Sequence, residues 1–170
     1  MNKESRLRTI SFTIYEKPIP WQRAGRHTNR CTYDPQKAEK DAISFLILRY
    51  LKQSSHFNGS FLEGPLHAIF KFYFKLPKTK RLREKKGLYH TVTPDLSNLI
   101  KLYEDIMSGL IYADDKTIFK IDAIKCYTSG KVRTEITIKE IQQADIINDI
   151  PKQEIIYDQK DLFVPAQKAK

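Results

Sequence analysis

The sequence predicts an α/β fold, a small mixed β-sheet packed with two helices. Two patterns predict it. Segments that alternate apolar and polar residues are interleaved with segments of helical period, in the order β, α, β, α, β, β. Strands interleaved with helices favour helices laid against a sheet over a helical bundle. The length, 170 residues, suits one domain large enough for a sizeable core.

Each element has its own signal. Residues 9–15 alternate and are mostly β-branched or aromatic, so they read as a strand. The stretch PIPWQRAGRHTNRCTY that follows reads as a loop carrying Arg23, Arg26 and Arg30. Asp34-Pro35 is an N-cap followed by proline at the first helical position. The helix it opens is expected to run to about Lys52, burying Ile43, Leu46, Ile47, Tyr50 and Leu51. A Ser/Asn/Gly loop covers 53–64. Residues 66–76 alternate again, with Ala68, Phe70, Phe72 and Phe74 on one side and Lys71, Tyr73 and Lys75 on the other. Residues 77–92 contain Lys78, Lys80, Arg81, Arg83, Lys85 and Lys86 and are too polar to pack, which predicts a mobile basic loop. A second helix starts between Asp95 and Asn98 and ends before Gly109. Residues 117–128 and 132–141 are expected to form a hairpin around Ser129-Gly130-Lys131. The domain is expected to span 1–140, with 141–170 as a C-terminal extension.

Charge narrows the partners. The formal net charge is +10, while residues 141–170 carry five acids and four lysines, so the excess lies in the first 140 residues. Such a chain seeks an acidic partner, with nucleic acid the first reading and anionic membrane the rival. The start, MNKESRLRTI, has no apolar core of a signal peptide, and the longest strongly apolar run, 42–48, is far too short to span a bilayer. Cys31 and Cys126 fit no zinc spacing, and free thiols suit a reducing cytoplasm.

Against this background, residues 93–115 hold Asp95, Glu104, Asp105, Asp114 and Asp115, with Lys101 the one basic residue among them. Carboxylates held close together repel, and a bound divalent cation relieves them. On a helix, Ser97, Asn98, Lys101, Glu104, Asp105 and Ser108 share one polar face, opposite Leu99, Leu102, Tyr103 and Ile106. If that face looks toward Asp114-Asp115, two to four carboxylates converge beside an ammonium, a set suited to Mg²⁺. A carboxylate and metal centre within a positive surface is what phosphodiester cleavage requires. Each signal also has a plainer reading. Asp95 caps a helix, Asp114-Asp115 is a solvated turn, Lys101 pairs with Glu104 or Asp105 on the surface, and the 78–86 run is a solvated loop.

The segments PDLSNLIK and EDIMSGLIYADD resemble the RusA-type Holliday junction resolvases, in which a PDxDN-L-x-K helix start precedes a D-A-L-x-G helix end and a DD turn into a strand. KPIPWQRAGR and TYDPQK are similar to that family's N-terminal segment, and the likeness covers about residues 9–140. The resemblance implies a RusA-like α/β homodimer that binds four-way DNA junctions and nicks opposing strands with Mg²⁺, in DNA recombination and repair, with no membrane and no small-molecule cofactor. It implies Asp95 and Asp115 as catalytic metal carboxylates with Asp114 beside them, and Lys101 as the catalytic lysine. The DNA contacts are expected from Arg23, Arg26, Arg30, Lys80, Arg81, Arg83, Lys85 and Lys86. Ser97 stands where the pattern has a second aspartate. Glu104, two helical turns along the same stripe, is the expected substitute ligand. The alternatives are a catalytically silent binder of branched DNA and a general basic RNA-binding module.

Overall fold

Strand β4 (Leu66–Lys75) is the apolar spine on which the other elements are assembled. In the computed structural model, residues 7–26, 32–54, 57, 59–77 and 89–142 are described. Leu66, Ala68, Phe70, Phe72 and Phe74 of β4 are all buried on one face of the sheet. Around it lie β1 (Thr9–Ile14), β5 (Ile118–Thr128) and β6 (Arg133–Glu140), in the spatial order β1-β6-β4-β5. β6 runs antiparallel to both β1 and β4, whereas β5 runs parallel to β4. Successive rows cross the sheet in register: Ile10, Ile138, Ala68 and Ile121; then Phe12, Ile136, Phe70 and Ala123; then Ile14, Thr134, Phe72 and Lys125, with the edge-strand members of β5 more exposed than the rest. Helices α1 (Lys37–Gln53) and α2 (Leu96–Met107) contribute Ile43, Ile47, Leu51, Leu99, Leu102 and Tyr103 to the same core. A two-residue ribbon, β2 (Gly25–Arg26) with β3 (Thr32–Tyr33), rises from the loop between β1 and α1.

The expected mixed sheet with two helices is present, and its strand order corrects one detail. β5 and β6 do not form a hairpin, because β4 lies between them. The short link through Ser129, Gly130 and Lys131 crosses the end of β4 instead. The reason is burial: β4 is the most apolar strand and takes the central position, where both its edges are paired. The first helix also starts later than Asp34-Pro35 implies. Asp34 accepts from the Gln36 N–H through Oδ1 at 2.9 Å, so Pro35 and Gln36 form a turn and α1 begins at Lys37. Of the five residues expected on its buried face, Ile43, Ile47 and Leu51 are buried, while Leu46 and Tyr50 are 36% and 40% exposed. The basic run 78–86 and residues 143–170 lie outside the described residues. The segment just after that run is anchored: Tyr89 bridges to Cys126, the His90 N–H donates to the Lys125 carbonyl at 3.0 Å, and the His90 ring stacks on Phe74. No described helix is long and apolar enough to cross a membrane.

Candidate active site

Helix α2 carries the acidic stretch because its two faces separate cleanly. Leu99, Leu102, Tyr103, Ile106 and Met107 are buried, and Ser97, Lys101 and Asp105 are exposed on the other side. The Tyr103 hydroxyl accepts from buried Thr134 at 3.0 Å, tying the helix to β6. Burial raises the Tyr103 pKa above its ordinary value, against the lowering effect of its hydrogen bonds with Thr134 and the Ile19 backbone.

Asp95 occupies the N-cap position in extended conformation, with φ −70° and ψ 142°. Its side chain makes no capping hydrogen bond. An N-cap aspartate is ordinarily held by the N–H groups of the first turn, so this carboxylate is left available. The residues before it are clamped from the sheet. Lys125, at the edge of the row that runs through Phe72, donates from Nζ to the carbonyls of Val92 at 2.7 Å and Pro94 at 2.5 Å. Burial lowers the Lys125 pKa, partly offset by the negative charge of Asp95.

The middle of α2 is fixed by the loop after β1. The Trp21 N–H donates to the Asn98 carbonyl at 2.8 Å, and the Lys101 ammonium lies 3.9 Å from the centre of the Trp21 ring. A pocket of about 500 Å³ opens between Pro18–Trp21 on one side and Thr93, Pro94, Asp95 and Asn98 on the other. Lys101 is thus a cation resting on an aromatic face beside Asn98, rather than a member of a surface ion pair with Glu104 or Asp105 among the described residues.

At the other end, Ser108 is the C-cap and Gly109 follows with φ +76°. The chain turns through Tyr112, whose buried hydroxyl donates to the Glu104 carbonyl at 3.2 Å. Asp114 then caps a single 3₁₀ turn, Asp115–Thr117. Its Oδ1 accepts from the Lys116 N–H at 3.0 Å and its Oδ2 faces the Lys116 ammonium at 3.1 Å. These contacts, the N–H first, hold the Asp114 carboxyl below its ordinary pKa. Asp114 therefore sets the turn that presents Asp115.

Glu104 is the half-buried member of the set. Its pKa is raised first by burial, then by Asp115 and then by Asp105. The same three carboxylates, after burial itself, raise the Tyr112 hydroxyl. The structure therefore brings Glu104, Asp105 and Asp115 within one electrostatic neighbourhood. Asp95 is not among the charges acting on Glu104, and it lies instead near enough to Lys125 to act on its ammonium. Among the described residues, no three His, Cys, Asp or Glu side chains stand close enough to hold a metal ion unaided. Of the expected DNA contacts, Arg23 is exposed, Arg26 lies in β2, and Arg30, Lys80, Arg81, Arg83, Lys85 and Lys86 fall outside the described residues.

Sequence reasoning did not single out Trp21 or Lys125. Trp21 carries a weak signal, the one tryptophan in a Pro-Ile-Pro-Trp segment. Lys125 carries none, because its reach to the start of α2 follows from strand order. The family model for endodeoxyribonuclease RusA matches residues 17–139. An uncharacterized Bacillus subtilis (strain 168) protein, YqaN, is 31% identical over 148 residues, covering 78% of this chain and 96% of that protein. The match runs from the loop bearing Trp21 to the end of β6, so the chain belongs to the endodeoxyribonuclease RusA family.

Proposed function

We propose that this chain is a Mg²⁺-dependent endonuclease that resolves four-way DNA junctions in recombination and repair, acting in the cytoplasm as a homodimer built on the domain 1–140. Two matched nicks in opposing strands need two active sites, and a two-fold dimer is the simplest way to supply them. The observation that carries the reading is Glu104. It is a half-buried carboxyl whose ionisation is opposed by burial and by Asp115 and Asp105, with no cation beside it among the described residues.

The donor chemistry fits Mg²⁺, a hard ion that takes one or two carboxylates and completes its shell with water and phosphate oxygens. Asp115 and Glu104 would hold it, with Asp95 as the further carboxylate at the start of α2 and Asp114 holding the turn. When bound, the ion would stabilise charge developing on the phosphate and activate water. The chain's own residues do the positioning. Lys125, bonded to the Val92 and Pro94 carbonyls, fixes the segment that carries the N-terminal carboxylate. Lys101, parked on Trp21, presents a positive charge to a phosphate oxygen or leaving group. Glu104 compensates for the neutral Ser97.

The test is nicking of a synthetic four-way junction with Mg²⁺ or with chelator. The parent is expected to nick only with metal. Asp95→Asn and Asp115→Asn are each expected to abolish cleavage while binding the junction nearly as well. Parental cleavage rates in either variant would overturn the site, and junction binding without any metal-dependent nicking would favour a silent binder of branched DNA.

A further inference from the structure

Lys101 has an unexpected partner for its place on α2. A lysine three and four residues ahead of Glu104 and Asp105 ordinarily pairs with them on the helix surface. Among the described residues Lys101 makes no such pair, and its ammonium lies 3.9 Å from the centre of the Trp21 ring. Indole is the aromatic face that attracts a cation best, whereas an exposed ion pair is screened by water. The difference matters for the proposed chemistry. An ammonium folded onto Glu104 and Asp105 would neutralise carboxylates that a metal needs, and its own charge would be lost to a phosphate oxygen. Held on Trp21, it stays clear of both.

Trp21 is only half-buried, yet the chain around it is braced on every side. Gln36, the N-cap of α1 and 4% exposed, brackets it. Gln36 Nε2 donates to the Pro20 carbonyl at 2.8 Å, and Gln36 Oε1 accepts from the Gln22 N–H at 2.6 Å. Both polar ends of one buried amide thus hold the two neighbours of a single tryptophan. The Trp21 N–H itself donates to the Asn98 carbonyl at 2.8 Å, about one helical turn before Lys101. The Ile19 backbone is hydrogen-bonded to the buried Tyr103 hydroxyl. Residues from Ile19 to Gln22 are therefore pinned to α2 and to the start of α1. The Trp21 ring also borders, with Asp95 and Asn98, the pocket of about 500 Å³ at the head of α2.

We infer that Trp21 is the positioning residue for Lys101, holding its ammonium away from Glu104 and Asp105, and that Gln36 sets Trp21 in place. The inference rests on the endonuclease reading above and adds the two residues that aim its lysine.

Two measurements on the full chain test it. The first reads single-turnover cleavage of a synthetic four-way junction at saturating protein with Mg²⁺, and binding of the same junction with chelator. Trp21→Leu is expected to lower the cleavage rate about tenfold or more while binding stays near the parent's. Trp21→Phe, which keeps an aromatic face, is expected to retain most of the rate, and Gln36→Met to share the loss. On the residual rate of Lys101→Met, Trp21→Leu is expected to cause no further loss, because residues that act as one unit are not additive. The second measurement needs no cleavage. Trp21 is the one tryptophan of the chain, so fluorescence reports on it alone. Lys101→Met is expected to change the emission and open the ring to acrylamide quenching, whereas Lys116→Met, in the turn after α2, changes neither. This arm stands even if Trp21→Leu fails to fold, since Lys101 is exposed. A Trp21→Leu variant that nicks at the parent's rate, or that loses binding in place of rate, overturns the inference alone. So does a further loss in the Lys101→Met background, or an emission that Lys101→Met leaves unchanged. A parent that never nicks overturns the endonuclease reading and the inference with it.

Discussion

Glu104 carries a charge that the fold opposes. Burial, Asp115 and Asp105 all raise its pKa from 4.5. An acid whose folded pKa exceeds its unfolded value keeps its proton longer when folded, so its ionisation weighs against the fold. The loss begins as pH rises past the unfolded value and is complete above the raised folded value. Glu104→Gln removes the charge at nearly constant shape. Without metal, the variant is expected to melt above the parent at pH 7, with the difference vanishing below about pH 4. Saturating Mg²⁺ is expected to raise the parent's melting temperature and leave the variant's unchanged. A variant that melts no higher than the parent at pH 7 would remove the strain, and an equal response to Mg²⁺ would remove Glu104 from the metal. The sequence alone leads to Glu104 through the missing carboxylate at Ser97 and the shared stripe of α2. Its coupling to Asp115 follows from the turn after α2, which no periodicity encodes.

Helix α2 was legible because its apolar and polar positions separate at helical spacing and because Gly109 marks its end. Gly109 follows the C-cap with φ +76°, a conformation that costs residues with a Cβ about 1 kcal/mol or more. A Cβ there would meet nothing within 4 Å, so Gly109→Ala isolates the backbone effect. Urea denaturation is expected to show a loss of about 1 kcal/mol. An unchanged midpoint would mean that the turn into Asp114 and Asp115 relaxes freely. Helix α1 was legible in extent and only partly in orientation. Leu46 and Tyr50 satisfy a helical stripe as well as Ile43 and Ile47 do, and only the packing decides which side faces the sheet. Strand order was not legible. Ser129-Gly130-Lys131 between two β-rich segments carries a hairpin signal, yet the central place of β4 is a tertiary effect. That order is what lets Lys125, on an edge strand, reach the backbone before α2.

For the molecule as a whole, the acidic site sits within a chain of net charge +10. In the proposed function the carboxylates serve chemistry, so the affinity for DNA has to come from cations elsewhere. Arg23 is exposed in the loop that also carries Trp21, and Arg26 lies in the small ribbon after it. These arginines, with Arg30 and the run from Lys78 to Lys86, are the proposed phosphate contacts. Each phosphate neutralised releases condensed counterions, so log affinity is expected to fall by about 0.9 per log unit of salt per contact. Junction binding, measured with chelator to prevent cutting, should therefore weaken steeply with salt. Changing Lys80, Arg81 and Arg83 together to Gln is expected to flatten that slope by up to about 2.7, with little change in fold stability. The same variant discriminates mechanism from attraction. If the run only binds phosphate, the cleavage rate at saturating enzyme is expected to stay near the parent's, whereas a run that positions the strand would lower it. An unchanged salt slope would take residues 80–83 out of the interface and leave the arginines of the β1–α1 loop as its positive surface.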